Sequence, residues 1–315
     1  MQEVFDKNKN NKFDDQVDLK ELFNILWHGK SIIISSIVFF STLGVIASLY
    51  LPNIYESKAI LTPNDSSGSI SRSLQNYAGL AGLAGISIPS EAGKSNYVQA
   101  IQKLNSLSFF EAHFLPIIFL PDLMAFESWD GITNKHYYDQ NIYNVTENIW
   151  VRNYSYPYEP IPSAQESFDI FRAKHLNIVE DSKTGIITLK VKHQSPLIAK
   201  KWAEILVDQV NLFYREKDKS ESEKAINYLN EQIAVTNYSE VKMAISQLLQ
   251  EETKKLALIE ANQSYVFEYI DPPAVMEKKS EPKRSLICIL SALLGGFLGI
   301  IFVLIKNYLF REKIT

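Results

Sequence analysis

Two stretches of the chain carry no charge at all. Residues 31–51 read SIIISSIVFFSTLGVIASLYL and residues 285–305 read SLICILSALLGGFLGIIFVLI. Each has 21 residues, which as a helix is about 31 Å, the thickness of a bilayer core. They predict two transmembrane helices. A cleaved signal is a poor account of the first, because the 30 residues before it include six acids where a signal needs a short basic lead. Between the spans the pattern changes. YESKAILTP (55–63) alternates and is β-branched or aromatic enough for a strand. LNIVED and IITLKVK flank SKTG and predict a β-hairpin, with Gly185 at the turn position that favours a positive φ. YVFEYID predicts a further strand. Residues 95–115 have helical period, with Val98, Ile101, Leu104 and Leu107 on one stripe. The Ser-, Gly- and Ala-rich run 66–93 reads as a loop, extended or partly helical.

The longest helical pattern lies between the last two strands. Ser195 is placed to cap it and Pro196 suits its first position. Ile198, Trp202, Leu206, Val210 and Phe213 then form one apolar stripe, which lapses over the charged run 215–224 and resumes at Ala225, Ile226, Leu229 and Ile233. No Pro or Gly interrupts 197–235, so one helix of about 58 Å is expected. Its polar middle must stand in water or meet other subunits. Asn237, with Glu240 in capping-box spacing, predicts a second helix with Val241, Ile245, Leu248, Leu249, Leu256 and Ile259 on its stripe. The expected fold is therefore an α+β membrane protein. Two transmembrane helices flank an α/β base (52–194 and 264–284), from which a helical hairpin (195–263) protrudes; 1–30 and 306–315 are tails.

Charge and chemistry narrow the function. Of 32 Lys+Arg and 36 Asp+Glu, 24 and 29 lie between the spans, and a domain of that sign gives nucleic acid no broad attraction. Cys288 is the single cysteine and sits in the second span, so no intrachain disulfide and no cysteine metal cluster exist. EAGKS (91–95) resembles the end of a phosphate loop, but Ile88 stands where its first glycine is needed. The histidines at 28, 113, 136, 175 and 193 form no ligand-spaced pair. No catalytic, cofactor or metal site is expected. Aromatic residues crowd 126–158, with Trp129, Tyr138, Trp150 and Tyr156 as candidates either for stacking on sugar rings or for packing a loop onto the base.

Gly295 and Gly299, widened by Gly296, make a small-residue notch on the second span, and Gly44 with Ser48 offers a matching face on the first. The notch predicts close packing, either of the two spans together or against a neighbouring subunit. Lys20, His28 and Lys30 before the first span and Lys306, Arg311 and Lys313 after the second favour cytoplasmic tails. Lys278, Lys279, Lys283 and Arg284 pull the other way, but long domains translocate largely regardless of charge. The 233 residues of 52–284 are thus placed outside the cytoplasm. Pro272, Pro273 and Pro282 predict a stiff connector into the second span.

Several segments carry a resemblance. They are VDLKELFNILWHGKSIII entering the first span, YESKAILTP leaving it, the run from PSAQESFDIF through LVDQVNLFYREKD, AINYLNEQIAVT, and QSYVFEYIDPPAVMEKKSEPKRSLI. In that order the chain resembles the Wzz-type polysaccharide co-polymerases, the chain-length determinants of O-antigen synthesis. The resemblance implies cytoplasmic termini, a periplasmic domain, a homo-oligomer in the Gram-negative inner membrane, and no catalysis. It implies action on lipid-linked polysaccharide beside a Wzy-type O-antigen polymerase. Related capsule and exopolysaccharide co-polymerases often carry a tyrosine kinase after the second span. Only ten residues follow it here, so a fused kinase is not expected, while a capsule or exopolysaccharide role with a separate kinase or exporter stays open. A two-span sensor is disfavoured on the same count.

Overall fold

The computed structural model describes residues 19–64, 96–262 and 264–311. The expected loop 66–93 and most of the N-terminal tail lie outside them. The chain divides into two compact units, Asn53–Ser280 and, from the two ends, Met1–Pro52 with Glu281–Thr315.

In the terminal unit, helix α1 (Leu19–His28) is followed at Gly29 by α2 (Lys30–Tyr50). In the central unit, strand β1 (Tyr55–Pro63) coincides with the alternating run YESKAILTP. Helix α3 (Asn96–Leu104) follows. The predicted helix does not run on: Ser106 is extended, its hydroxyl accepts from the Phe109 N–H at 3.3 Å, and a new helix starts there. That helix widens at once into a π turn, Phe110–Phe114. Next come the hairpin β2 (Phe126–Asp130) and β3 (Lys135–Tyr138), and the two-residue pair β4 (Tyr143–Asn144) and β5 (Ile149–Trp150). Helix α4 (Ala164–Ile170) runs into a second π turn, Phe171–His175. Strands β6 (Leu176–Asp181) and β7 (Ile186–His193) form the expected hairpin, with Gly185 at φ +70°. Helices α5 (Pro196–Val235) and α6 (Ser239–Ala261), strand β8 (Phe267–Asp271) and helix α7 (Arg284–Arg311) complete the chain; α7 belongs to the terminal unit.

The sheet has the order β6-β7-β1-β8, antiparallel throughout. Strand β1, just after the first span, therefore lies between β7 and β8, so the base is closed by strands from both sides of the helical hairpin. One face of the sheet carries the core. Ser57, Ala59 and Leu61 stand opposite Val191, Leu189 and Ile187, and all six are buried. The first half of α5 covers them with Ile198, Trp202, Leu206, Val207 and Val210, all buried. The two π turns bring Phe110, Phe114 and Phe171 onto the same point: Phe114 and Phe171 lie 4.6 Å apart by ring centroid, and both meet Trp202 edge-on at 5.9 and 5.8 Å.

Beyond Ser222 the hairpin leaves the core: among the described residues none from 223 to 258 is buried. Two expectations for the hairpin need correcting. Ser195 makes no side-chain cap on α5; it is fully buried and its hydroxyl meets His136 Nε2 at 3.3 Å. Asn237 does not cap α6, which starts one residue later behind Tyr238 with no side-chain cap. Part of the charged middle of α5 is tied within the chain, and much of the rest is exposed. Tyr265 donates its hydroxyl to Asp218 at 2.5 Å, and Lys219 Nζ pairs with Glu260 of α6 at 2.5 Å.

Two histidines sit under Trp202. The Ser195 N–H donates to His193 Nδ1 at 2.9 Å, leaving Nε2–H to donate to the Asp122 carbonyl at 3.0 Å. His175 Nδ1–H donates to the Lys192 carbonyl at 2.7 Å. Burial pushes His193 down to about 3 and His175 to about 4, from an ordinary 6.5. Both are neutral when folded and take up protons more readily when unfolded, so their contribution is intact above pH 6.5 and is lost as pH falls toward 4. The melting temperature of the detergent-solubilised protein is therefore expected to fall between pH 7.5 and 5.0. His175 alone accounts for about 3 kcal/mol across its window, and His175→Phe should flatten the profile. A wild-type melting temperature that does not change with pH would contradict this.

Candidate functional site

Three regions carry the residues that the sequence singled out. The first is the aromatic segment. Trp129 on β2 donates from Nε1 to Asn134 Oδ1 at 2.9 Å and meets the Tyr55 ring edge-on at 5.5 Å. Tyr138 on β3 donates its hydroxyl to Asp122 Oδ1 at 2.7 Å, and its ring lies against Phe119, Phe126 and Tyr143. Burial and then the Asp122 carboxylate push the Tyr138 hydroxyl well above its usual range. Trp150 packs at 5.1 Å on the buried Tyr143. These three rings hold the segment to the base. Tyr156 does not: it is 96% exposed.

The reason lies in a clamp that sequence reasoning missed. The Arg152 guanidinium forks onto both carboxylate oxygens of Glu166, one at 2.8 Å, and also donates to the carbonyls of Glu159 and Pro160. Glu166 is held in turn, its own N–H donating to the Ser163 hydroxyl that caps α4. The loop 153–162 is thus closed at its base and presents Tyr154, Tyr156 and Tyr158, all exposed; Tyr154 and Tyr158 line an open cavity of about 420 Å³. Because Glu166 and Arg152 neutralise each other, the cavity is polar without net charge. It suits a neutral polyol, whose C–H faces stack on tyrosine rings while the hydroxyls hydrogen-bond. Only the 14-residue spacing of opposite charges flanking a tyrosine-rich run hinted at this clamp.

The second region is the far part of the hairpin. Tyr228, Val235, Tyr238, Val241, Met243 and Leu248 are all exposed, Met243 to 75%. These large apolar side chains lie outside any core among the described residues.

The third region is the pair of long apolar helices, α2 and the span Arg284–Leu309 of α7, both long and apolar enough to cross a membrane. The span candidates begin at Lys30 and Arg284, one residue earlier than the uncharged runs, and the second continues past residue 305. The notch on α7 faces the chain's own first span. A Cβ on Gly295 would lie 2.9 Å from the Ser36 carbonyl and from Phe40 Cβ, and one on Gly299 would lie 3.0 Å from Ile33 Cα. A Cβ on Gly44 would run into Ser291, and Ser48 is buried. Ser36 fills the gap and donates its hydroxyl to the Gly295 carbonyl at 2.7 Å. Gly296 is looser, its Cβ position 3.6 Å from Ile37. Accordingly, Gly299→Ala and Gly295→Ala should each cost about 1–3 kcal/mol through overpacking, while Gly296→Ala should be near neutral; thermal unfolding in detergent reads the difference.

The prolines of the connector differ in setting. Pro273 is buried, Pro272 exposed and Pro282 half-buried. The connector is not held by proline alone: Ser57 donates to the Ala274 carbonyl at 2.9 Å, Lys279 Nζ to Asn53 Oδ1 at 3.0 Å, and the Ser280 N–H to the Ile54 carbonyl at 2.8 Å. Among the described residues no group of three or more His, Cys, Asp or Glu is arranged to hold a metal ion.

Two family models match this chain. The one described as "Chain length determinant protein" covers residues 15–114, from α1 through α2 and β1. That stretch, about a third of the chain, is similar to the Wzz chain-length determinants. A second model, described as "G-rich domain on putative tyrosine kinase", matches residues 230–308, taking in the end of α5, α6, β8 and the second span. No curated protein matches. Among solved structures, a full-length bacterial polysaccharide co-polymerase is similar at 15% identity and a TM-score of 0.38, over 93% of this chain and 99% of that one. A fragment of the polysaccharide co-polymerase WzzB from Salmonella Typhimurium is similar at 14% identity and a TM-score of 0.30, over 73% of this chain and all of that one. The fold of this chain is α+β, with two helices fit to span a membrane.

Proposed function

We propose that this chain regulates O-antigen chain length as a homo-oligomer in the inner membrane of a Gram-negative bacterium. Its central unit is periplasmic and both termini are cytoplasmic. It is not an enzyme: it acts beside the O-antigen polymerase and governs how far that polymerase extends a lipid-linked glycan. The observation that carries the reading is the chain-length-determinant match running through the first span into the central strand of the sheet. Two surfaces support it. The exposed apolar end of the hairpin fits side-by-side packing of protomers. The tyrosine-rich loop 153–162, beside a cavity where Arg152 and Glu166 neutralise each other, is suited to the glycan.

A second reading, a capsule or exopolysaccharide co-polymerase with a separate kinase or exporter, is favoured by the match over 230–308 to a domain described on a tyrosine kinase. Deleting the gene and resolving lipopolysaccharide and capsule separately on gels distinguishes the two. The first reading predicts that the lipopolysaccharide ladder loses its preferred length while capsule is unchanged; the reverse result would select the second. Triple replacement of Tyr154, Tyr156 and Tyr158 by alanine should shift the ladder without lowering the melting temperature, since all three rings are exposed. An unshifted ladder would remove the loop from the account.

A further inference from the structure

Where α1, α2 and α7 meet, the terminal unit encloses an open cavity of about 370 Å³. Its floor is apolar, with Ile32 and the buried Val303. Its rim is polar and exposed: Asn24, His28, Lys306 and Asn307. The junction at Gly29 brings α1 against α7, because a Cβ there would run into Val303. The rim is not internally satisfied. Lys306 has no carboxylate partner among the described residues. His28 uses Nδ1–H to donate to the Asn24 carbonyl at 2.8 Å, which points its other nitrogen away from the helix backbone. Nearby Lys30 lies over the Trp27 ring at 4.9 Å rather than on an acid.

The depth of the cavity names its occupant. Lys30 is the first residue of one candidate span, and Lys306 lies three residues before the end of the other. The rim therefore lies at the water–lipid boundary, the layer of lipid phosphates. Trp27 and Phe23, exposed and stacked at 5.9 Å, are the ring types that settle at that layer. A ligand must be anionic at the rim and apolar at the floor. Basic pockets between spanning helices meet this description with phospholipid headgroups.

We propose that this cavity binds the phosphate of an anionic glycerophospholipid, with Lys306 and His28 on the phosphate, the two asparagine amides on the headgroup and acyl carbons over Ile32 and Val303. The site is independent of the polymerisation role and would survive its failure.

The test uses the full chain in detergent, with native mass spectrometry of retained lipid after adding phosphatidylglycerol, phosphatidylcholine or a polyprenyl phosphate. Wild type is expected to retain phosphatidylglycerol about fivefold or more over phosphatidylcholine. Lys306→Gln should reduce that retention about fivefold, and His28→Gln should reduce it further. Both side chains are exposed, so neither variant threatens folding, and Lys254→Gln on the hairpin should behave as wild type. Equal retention of the two phospholipids, wild-type retention in the Lys306→Gln/His28→Gln double variant, or retention of polyprenyl phosphate alone would overturn the assignment.

Discussion

Replacing Asn211 by leucine is expected to destabilise the central unit by about 4 kcal/mol, although the side chains are nearly the same size. Asn211 lies on the buried face of α5 and stitches the helix to the last strand. Its Oδ1 accepts from the N–H groups of Val266 and Phe267 at 2.9 and 2.8 Å, and its Nδ2 donates to the Phe267 carbonyl at 2.9 Å. Val266 and Phe267 are themselves buried. Leucine would leave three backbone polar groups without this partner and without water, at about 1–3 kcal/mol each before relaxation. Urea unfolding of the full chain in detergent should show the loss as a lowered midpoint. Asn211→Asp keeps the acceptor and should recover part of it. A midpoint within about 0.5 kcal/mol of wild type for the leucine variant would mean that β8 does not depend on this side chain.

Trp202→Ala should cost about the same, 3–5 kcal/mol, by a different route. The indole is 1% exposed, and four rings close on it: Phe114, Phe171, His175 and His193, at centroid distances of 5.9, 5.8, 5.4 and 5.0 Å. Those rings come from both π turns and from the end of β7. The two histidines cannot collapse into the hole, because hydrogen bonds to backbone groups fix their rings. The same urea titration reads the loss, and Trp202→Phe should recover roughly half. A Trp202→Ala variant of wild-type stability would contradict the placement of the core at this point.

Much of the fold was legible before the structure. The two spans declare themselves by length without charge, and β1, the β6–β7 hairpin and β8 by alternation bounded by turn residues. The long helix α5 shows in its spacing of four from Ile198 to Val210. What was hidden depends on contacts distant in sequence. The order β6-β7-β1-β8 joins strands more than 120 residues apart, and no local pattern specifies such pairing. Asn211 looks like a polar spacer until β8 arrives opposite it. The π turns at Phe110–Phe114 and Phe171–His175 share the residue types of ordinary helix, so periodicity alone extended 95–115 through Asn105. In the candidate site the aromatic residues were legible by composition. Their division was not: Trp129, Tyr138 and Trp150 find partners in the base, whereas Arg152 and Glu166 close the loop that leaves Tyr156 in solvent.

A regulator of polymer length that performs no polymerisation separates the amount of glycan made from its size. The most direct measurement is labelled-sugar incorporation in membranes from a strain lacking this protein, followed over time and sized on a gel. Total incorporation should stay near that of the parent strain while the preferred length disappears from the product. Incorporation that stops altogether would assign the chain to the chemistry or transport of the glycan and contradict the account.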